Sequence, residues 1–548
     1  MHFSCATKVL PLSYKKNITI PETNEMNRLR MIWCAIGCIL IGGNLSLLIA
    51  QDTVSLADRG NYYEVTLDYT TGASHYAMGQ QLMKKILTAV PNFEQLMDSY
   101  IAELVPDQTT YNIMLGRVAD IKPQIPQDYQ DEIDGMASRL SGGSVNTRND
   151  GKLSKNELYE LELFTDVGRS TQCSGISVYG PRSATGNTMT ARVLDWYDGA
   201  NHQLAQIQAV TTIKNGSMSV CTIGYLSVLG IITGFNDNGV FAGILDSPTG
   251  AAYSSSGKRS YIWDLRYALE HDSTAADVGA YMSDPSRSYT YNHLILLSDS
   301  HTSKVLENNF SRSGTNIHRA LRSDTSSFNP GITWGFSNSV AAVNAFLLAG
   351  NCDNYTGILS NTQRWSSIKS QFQLCGDTVS LAELKQISSF DHGVVPQSQS
   401  AGNIYNSGTQ QIVIFQPDIF HLEIAFKPKS GILPVNPLFE DISVSFVSNP
   451  TSVPKSNAVI PVSCMLEQNY PNPFNPSTTI SFSVSNKNYV SLRIYNMLGQ
   501  EVADIFEGDL PAGKYTRQWN AGTIPSGVYF CRLTAGASTA TKKLVLLK

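Results

Sequence analysis

The sequence predicts an α+β protein with a helical N-terminal segment, a larger β-rich domain and a small β-sandwich at the C-terminus. Residues 51–172 repeat apolar side chains at helical spacing, and residues 173–443 alternate short strands with glycine-rich turns. Residues 466–548 contain further short strands separated by turns. A chain of 548 residues is also too long for one compact domain.

The composition excludes several classes of protein. Only 16% of the residues are charged and the net charge is −5, so the chain lacks the basic character of a nucleic-acid-binding protein. It contains no H-E-x-x-H, G-x-S-x-G or G-x-x-x-x-G-K-[ST] motif, which leaves zinc proteases, serine hydrolases and nucleotide enzymes without support. The nine cysteines form no CxxC pair. We therefore predict neither a metal nor a cofactor.

Residues 1–50 are interpreted as a leader. Within it, residues 27–50 have a positively charged start, an apolar core and a Leu-Ile-Ala end, the features of an export signal. Glycine and polar residues interrupt the apolar run, which favours cleavage over an uncleaved membrane anchor. Residues 1–25 fit no such signal, so Met26 is the expected start of translation.

Residues 51–172 are predicted to be mainly helical. Apolar side chains recur at three- and four-residue spacing in four stretches: His75–Val90, Phe93–Leu104, Tyr129–Leu140 and Ser154–Asp166. The loop at 146–157 is similar to a calcium-binding loop, but Arg148 occupies a position that needs an oxygen ligand. We interpret it as a polar loop that caps the helix beginning at Ser154.

The β-rich domain begins with a predicted hairpin between Gln172 and Asp198. Cys173 opens an alternating run of strand residues, a turn rich in Gly, Ser and Asn follows, and the second strand carries Arg192 and Asp195. The end of the second strand returns beside the start of the first. This arrangement predicts a thiol near a guanidinium and a carboxylate, the surroundings that a reactive cysteine needs.

This hairpin resembles the cysteine N-terminal-nucleophile hydrolases, specifically the acyl-coenzyme A:6-aminopenicillanic acid acyltransferase family, which is related to the choloylglycine hydrolases and acid ceramidases. The shared pattern is C-[ST]-x-hydrophobic, a turn and an R-x-x-D-W-like strand, here C-S-G-I at 173–176 and R-V-L-D-W at 192–196. E-I-D-G-M-A at 132–137 is similar to the family's E-x-x-G-x-A helix. The resemblance implies a four-layer αββα domain over residues 173–443.

Three later segments carry the rest of the resemblance. The segment G-F-N-D-N-G-V-F-A-G-I-L-D, which ends at Asp246, is similar to the family's G-x-N-x-x-G-L-x-x-G-L-N, with Asp where relatives often have Asn. A-A-V-N-A-F-L-L-A-G contains Asn344, and S-N-T-Q-R-W contains Arg364. The resemblance implies that Asn344 and Arg364 are catalytic and that Asp246 contacts the substrate. Asn338 is the alternative to Asn344.

The resemblance also implies a mechanism that begins with a cut between Gln172 and Cys173. Residues 51–172 would then be a propeptide or a still associated α-chain. The freed α-amino group of Cys173, with a reference pKa of roughly 7.7–8.0, would act as the base. Arg192 would favour the thiolate, and Asp195 would orient the new amino group.

The remaining implied roles concern the substrate. Asn344 would donate a hydrogen bond to the oxyanion, and Arg364 would hold Asp195 or the substrate. Cys173 would attack a linear N-acyl amide and form a thioester, which water or another amine would release. The expected activity is that of a hydrolase acting on carbon–nitrogen bonds other than peptide bonds, with acyl transfer as the alternative.

The C-terminal residues differ from the preceding domain in composition and in their pattern of strands and turns. Residues 444–465 are a linker rich in Ser, Pro, Asn and Val. Residues 466–548 contain N-Y-P-N-P-F-N-P, I-Y-N-M-L-G-Q and P-S-G-V-Y-F, and they resemble the C-terminal sorting domain of the type IX secretion system. The predicted strands are Ile480–Val484, Val490–Tyr495, Tyr515–Asn520, Val528–Thr534 and Lys542–Leu547. The resemblance implies that the secretion machinery is a partner and that the chain is secreted or attached to the cell surface.

Three other interpretations remain open from the sequence. A papain-like protease would use His392 as its base, although the C-G-S-C-[WY] signature is absent. In the second interpretation, Cys173 forms a disulfide with Cys221, and Cys352 is a candidate partner of Cys375. A non-catalytic surface or adhesion protein would also carry a sorting domain, but it has no reason to be cut before Cys173.

Overall fold

The computed structural model describes residues 53–168, 171–216, 218–247, 253–309, 318–351, 355–392, 402–446 and 465–547, the last range with short gaps at 467–468, 470–471, 485–487, 511–512 and 537. The chain divides into two compact units, Met1–Val444 and Ser445–Lys548. The predicted leader and most of the predicted linker lie outside the described residues.

Helices and strands alternate irregularly along the first unit. The helices are α1 (His75–Ala89), α2 (Phe93–Leu104), α3 (Gln108–Ile121), α4 (Gln127–Ala137), α5 (Lys155–Glu162), α6 (Phe164–Val167), α7 (Tyr261–His271), α8 (Ala275–Ser283), α9 (Leu359–Leu374) and α10 (Leu381–Ser388). The strands are β1 (Val54–Asp58), β2 (Tyr63–Asp68), β3 (Thr171–Val178), β4 (Met189–Trp196), β5 (Gln208–Lys214), β6 (Val220–Tyr225), β7 (Thr233–Asn236), β8 (Phe241–Asp246), β9 (His293–Ser298), β10 (Ser303–Asn309), β11 (His318–Arg322), β12 (Ser339–Ala342), β13 (Thr409–Gln416), β14 (His421–Phe426) and β15 (Phe439–Asp441).

The larger sheet runs in the order β1-β2-β5-β6-β7-β8-β9-β10-β11 within the described residues. Its neighbouring strands are antiparallel except for β2 and β5, which are parallel, with Val65 opposite Thr211. The sequence analysis missed β1 and β2, which lie in the segment predicted to be mainly helical, and it also missed α3. Both strands are short. β1 and β2 pair locally, but the parallel partner of β2, β5, comes more than a hundred residues later, so local periodicity does not reveal that pairing.

The smaller sheet contains the predicted hairpin and runs in the order β12-β3-β4-β13-β14-β15 in the described part of the chain. The hairpin prediction is confirmed, because β3 and β4 are antiparallel neighbours, with Cys173 opposite Leu194 and Gln172 opposite Asp195. β13 pairs with the other side of β4, and β12 pairs with the other side of β3. The two strands that carry Cys173, Arg192 and Asp195 are therefore both interior to the sheet.

The two sheets contact each other face to face. The hydroxyl groups of Ser177 and Ser303 are 2.6 Å apart, and the rings of Phe235 and Phe415 stack at 4.2 Å. Gly175 approaches the second sheet so closely that a Cβ there would lie 2.7 Å from Leu296 Cδ2. On their other sides, α1, α7 and α8 contact the larger sheet, and α10 contacts β3 and β4 of the smaller one.

The E-I-D-G-M-A motif at 132–137 lies in α4, at the point where this helix crosses α1. A Cβ on Gly135 would lie 2.1 Å from the carbonyl oxygen of Tyr76, so the two backbones touch at this point. Glu132 is fully buried, and burial opposes its ionisation, but the Arg266 guanidinium at 2.5 Å lowers the pKa of Glu132 to about 2. The motif therefore combines a close helix contact with a buried ion pair between α4 and α7.

The predicted cap before the next helix is confirmed. Ser154 and Glu157 form a capping box, in which the Ser154 side chain accepts from the Glu157 backbone and the Glu157 side chain accepts from the Ser154 backbone. Arg148, which excluded a calcium site, donates hydrogen bonds to the backbone carbonyls of Ala102 and Val105. The loop is thus held by protein groups, as a polar capping loop would be.

Besides the capping Glu157, three carboxyl groups are buried in α5 and α6, just before Cys173. Burial raises the pKa of Glu160 to about 8 and that of Asp166 to about 7, and it raises the pKa of Glu162 well above the ordinary value. Within the described structure, neither carboxyl oxygen of Glu160 has a hydrogen-bond partner. Burial therefore favours the protonated form of Glu160 in the folded chain.

The second unit is a small β-sandwich. Its strands are β16 (Met465–Leu466), β17 (Ser477–Val484), β18 (Asn488–Tyr495), β19 (Glu501–Leu510), β20 (Gly513–Asn520), β21 (Gly527–Ala535) and β22 (Ser538–Leu546). In the described part, one sheet runs β16-β17-β20 and the other β19-β18-β21-β22. The predicted strands are present with longer bounds, and β16 and β19 are additional. Leu492, Trp519 and Leu533 are among the side chains of the shared core.

The described residues include neither a candidate membrane span nor a candidate metal cluster. None of the helices they form combines the length and apolarity needed to cross a membrane. The same residues contain no group of three or more His, Cys, Asp or Glu side chains placed to hold a metal ion.

Substituting Gly135 by Ala should destabilise the first unit, because the new Cβ would overlap the Tyr76 carbonyl and push α1 and α4 apart. We expect a loss of about 1–3 kcal/mol in the free energy of unfolding. Gly116→Ala is the matched control: Gly116 is an exposed residue inside α3, and its Cβ would meet nothing within 4 Å. The control should gain up to about 1 kcal/mol. Equal effects of the two changes on urea unfolding would contradict the close crossing.

Substituting Glu160 by Gln should remove part of the pH dependence of stability. The pKa of Glu160 is raised from 4.5 to about 8 in the folded chain. The stability that the protonated carboxyl group contributes is therefore fully present below pH 4.5 and is lost as the pH rises toward 8. The variant should therefore unfold at higher urea than the parent at pH 8 and at similar urea at pH 4. Both chains carry Cys173→Ala, so that the predicted cut before Cys173 does not enter the comparison. A variant that is equally destabilised at both pH values would refute this assignment.

Candidate active site

Cys173 lies in the interior strand β3 and is fully buried. Its side chain points to the same face as that of Leu194, which is opposite in the ladder, and this face is turned toward the larger sheet. Nη2 of Arg192 donates to Cys173 Sγ at 3.3 Å and to the carbonyl oxygen of Ile244 at 2.7 Å. The predicted neighbourhood of thiol and guanidinium is therefore present.

Arg192 occupies a gap between the two sheets that Gly243 leaves open. A Cβ on Gly243 would lie 2.8 Å from Cγ of Arg192. In the described part of the chain, Nε and Nη1 of Arg192 are buried and have no hydrogen-bond partner. A buried positive charge with few other partners favours the thiolate form of a cysteine that it contacts.

The backbone of Cys173 is held by two other predicted residues. Its N–H donates to Oδ1 of Asn344 at 2.7 Å, and its carbonyl oxygen accepts from Nη1 of Arg364 at 2.5 Å. Nδ2 of Asn344 donates to the backbone carbonyl of Asp246 at 2.6 Å. In the uncut chain, Asn344 thus turns its amide oxygen toward the Cys173 nitrogen, and one hydrogen of its NH2 group is used by Asp246.

Arg364 connects these groups from helix α9. Its guanidinium also donates to Ser174 Oγ, to Asn344 Oδ1 and to Asn361 Oδ1, each at 3.0 Å. Burial lowers the pKa of Arg364, and the charges of Asp195 and Cys173 oppose that shift. The sequence analysis missed Asn361, although its spacing of three residues from Arg364 places both on one side of a helix.

Asp195 lies on the other face of the hairpin from the Cys173 thiol, because side chains alternate along β4. Its Oδ1 accepts from the Thr409 hydroxyl at 2.7 Å, and its Oδ2 accepts from Nδ2 of Asn406 at 3.0 Å. Burial raises the pKa of Asp195, and the charge of Arg364 and these hydrogen bonds lower it in part. The sequence analysis missed Asn406 and Thr409, because N-S-G-T at 406–409 indicates only a turn.

The two asparagine candidates lie at different ends of β3. Ser339, which follows Asn338, pairs with Val178 at the far end of the strand from Cys173. The backbone N–H of Asn338 donates to Asp324 Oδ2 at 2.7 Å. Asn344, and not Asn338, therefore contacts the cysteine.

The other predicted residues are less directly involved. Asp246 reaches the cluster through its backbone carbonyl, whereas its carboxylate accepts from the Tyr261 hydroxyl at 3.2 Å. His392, the base of the papain-like alternative, contacts Asn403 through Nδ1 at 2.7 Å. The described contacts of His392 thus give that alternative no support.

The disulfide interpretation of Cys173 and Cys221 is wrong, because both are free thiols in separate sheets. Cys375 is also free, and Cys352 lies outside the described residues. Burial raises the pKa of Cys221 above the range in which a thiol ionises at neutral pH. Of these two thiols, Cys173 has the guanidinium contact that a nucleophile requires.

Residues 468–547 match the family of secretion system C-terminal sorting domains. This match marks the chain for export by the type IX system and gives it a secreted or cell-surface location. It covers the sandwich described above and does not extend into the unit that contains Cys173. No curated protein matches the chain.

Solved structures that match part of the chain include an amidase and a hydrolase. An N-acylethanolamine-hydrolyzing acid amidase ortholog from Caenorhabditis elegans is 14% identical, and the match covers 45% of this chain and 93% of that one at a TM-score of 0.33. A mutant of the conjugated bile acid hydrolase from Clostridium perfringens is 11% identical, and the match covers 52% and 100% at a TM-score of 0.30. At these values, the likeness assigns no role to any residue here.

Substituting Gly243 by Ala should displace Arg192 and slow the predicted cleavage between Gln172 and Cys173 by about tenfold or more, since a shift of about 1 Å in a reacting group is costly. Gly224→Ala is the matched control, because it lies in β6 of the same sheet and its Cβ would meet nothing within 4 Å. Intact mass at successive times after folding gives the rate. Similar rates for both variants would show that the Arg192 contact does not matter for cleavage.

Proposed function

We propose that the chain is a secreted, self-processed cysteine amidohydrolase of the N-terminal-nucleophile type that cleaves a linear N-acyl amide. The observation that carries the proposal is the set of contacts around Cys173. Arg192 contacts its thiol, Asn344 its nitrogen and Arg364 its carbonyl oxygen, and all are buried. A structural cysteine in an interior strand needs only backbone partners for its N–H and carbonyl oxygen, whereas here buried side chains contact both groups and the thiol as well.

Self-cleavage would use the same thiol. Cys173 Sγ would attack the carbonyl carbon of Gln172, and the carbon–nitrogen bond would break as the nitrogen takes up the proton. The resulting thioester would be hydrolysed by water, which leaves a carboxylate on Gln172 and a free amino group and thiol on Cys173. Residues 51–172 would remain as an associated α-chain, and 173–443 would form the nucleophile domain.

Amide hydrolysis would follow with the new amino group as base. The amino group would take the thiol proton, and Arg192 would favour the thiolate. The thiolate would attack the acyl carbonyl, the leaving amine would take the proton, and water would release the acid from the thioester. Donation from Asn344 Nδ2 to the oxyanion would be worth about 3–4 kcal/mol.

A small apolar cavity lies on the thiol's side of the hairpin, where the first carbons of an acyl group would lie. The cavity has a volume of about 30 Å³, and Phe164, Trp196, Ile207 and Tyr225 are among its lining residues. Trp196 shares a strand face with the residue opposite Cys173. The cavity therefore lies toward the nucleophile and takes part of its wall from the segment before the cut.

The four-layer αββα arrangement belongs to the same proposal. The contacts of α1, α7 and α8 with one sheet and of α10 with the other support it. Hydrolysis is proposed over acyl transfer because water is abundant outside the cell. The secretion machinery is the proposed partner of the C-terminal unit, whose sequence match supports it.

The deciding experiment is the intact mass and N-terminal sequence of the purified chain beside a Cys173→Ala variant. We expect two associated chains, the second beginning at Cys173, and a single uncut chain in the variant, which lacks the attacking thiol. Thermal unfolding of the variant verifies that it folds. A wild-type chain that stays whole would refute self-processing and favour a non-catalytic surface protein.

A further inference from the structure

A short turn before β13 holds the carboxylate of Asp195. Thr409 and Asn406 each donate one hydrogen bond, at 2.7 Å and 3.0 Å, to different oxygens of the carboxylate. Both donors are at most 2% exposed. Because each oxygen has its own donor, the position and the plane of the carboxylate are both defined.

The turn is built so that neither donor rotates freely. Thr409 Oγ1 accepts from the backbone N–H of Asn406 at 3.0 Å, and Asn406 Oδ1 accepts from the backbone N–H of Gly408 at 2.9 Å. The pairing of β13 with β4 shifts register between Thr409 and Gln411, so that Thr409 lies opposite Asp195. Such β-bulges re-aim side chains and are frequent beside active sites.

The charge balance at Asp195 depends on these bonds. The charged groups that act on it are Arg364 from α9 and Arg192 from its own strand. Burial raises the pKa of Asp195, whereas Arg364, Thr409, Asn406 and Arg192 lower it. Loss of one hydrogen bond to the ionised form would therefore favour the protonated carboxyl group.

We propose that Asn406 and Thr409 are positioning residues that keep the Asp195 carboxylate ionised and directed at the α-amino group created by the cut before Cys173. The ladder places Asp195 opposite Gln172, the residue that this cut separates from Cys173. The proposal rests on the proposed function. The described side-chain contacts of both residues go to Asp195 and to their own turn, so both would act through Asp195.

The test compares the processed full chain with Thr409→Val, which keeps the shape of the side chain but removes the hydroxyl. The measured quantity is the rate at which iodoacetamide alkylates Cys173, followed by peptide mass spectrometry from pH 4 to pH 9. We expect the acidic limb of this profile to move upward by about one pH unit, because Asp195 then ionises only at higher pH. Thr409→Ser, which keeps the hydroxyl, should restore the wild-type profile.

The outcomes separate the two proposals. If Thr409→Val is processed and its profile coincides with that of the wild type, the positioning role is wrong. Should Thr409→Val fail to fold, Asn406→Ala removes the other hydrogen bond and must show the same upward shift. A wild-type chain that is not cut, or whose Cys173 is not alkylated, overturns the proposed function and this inference with it.

Discussion

The backbone of Cys173 is held at both of its polar groups, the N–H by Asn344 and the carbonyl oxygen by Arg364. Asn344 follows β12, which pairs with β3, and Arg364 comes from α9. The position of Cys173 therefore depends on a complete smaller sheet and on the docking of one helix. A cysteine at a free sheet edge would lack both constraints.

Two buried guanidinium groups lie on opposite faces of the same hairpin. Burying such a charge is costly unless hydrogen bonds or an opposite charge compensate for it. Arg364 has four hydrogen-bonding oxygens of the site and the charge of Asp195 nearby. Within the described structure, the hydrogen-bond acceptors of Arg192 are only the Ile244 carbonyl and the thiol, and the charge of Asp195 also acts on it. Ionising the thiol is the step that would best compensate Arg192.

Sequence patterns predicted the parts of the site that local structure determines. The alternation after Cys173 and the R-V-L-D-W strand gave the correct hairpin, because antiparallel neighbours joined by a short turn reveal themselves locally. Asn406 and Thr409 were missed because their role appears only when β13 pairs with β4, more than two hundred residues later in the sequence. β19 was missed because its charged side chains hide the apolar alternation.

The pairing of β2 with β5 has a consequence for the export of the two pieces that the proposed cut would produce. These strands lie on either side of the proposed cut, so both pieces would contribute strands to one sheet. The sorting sequence is present only on the downstream piece. Because separating the pieces would break a ladder of backbone hydrogen bonds, one sorting domain would suffice to carry both polypeptides out of the cell together.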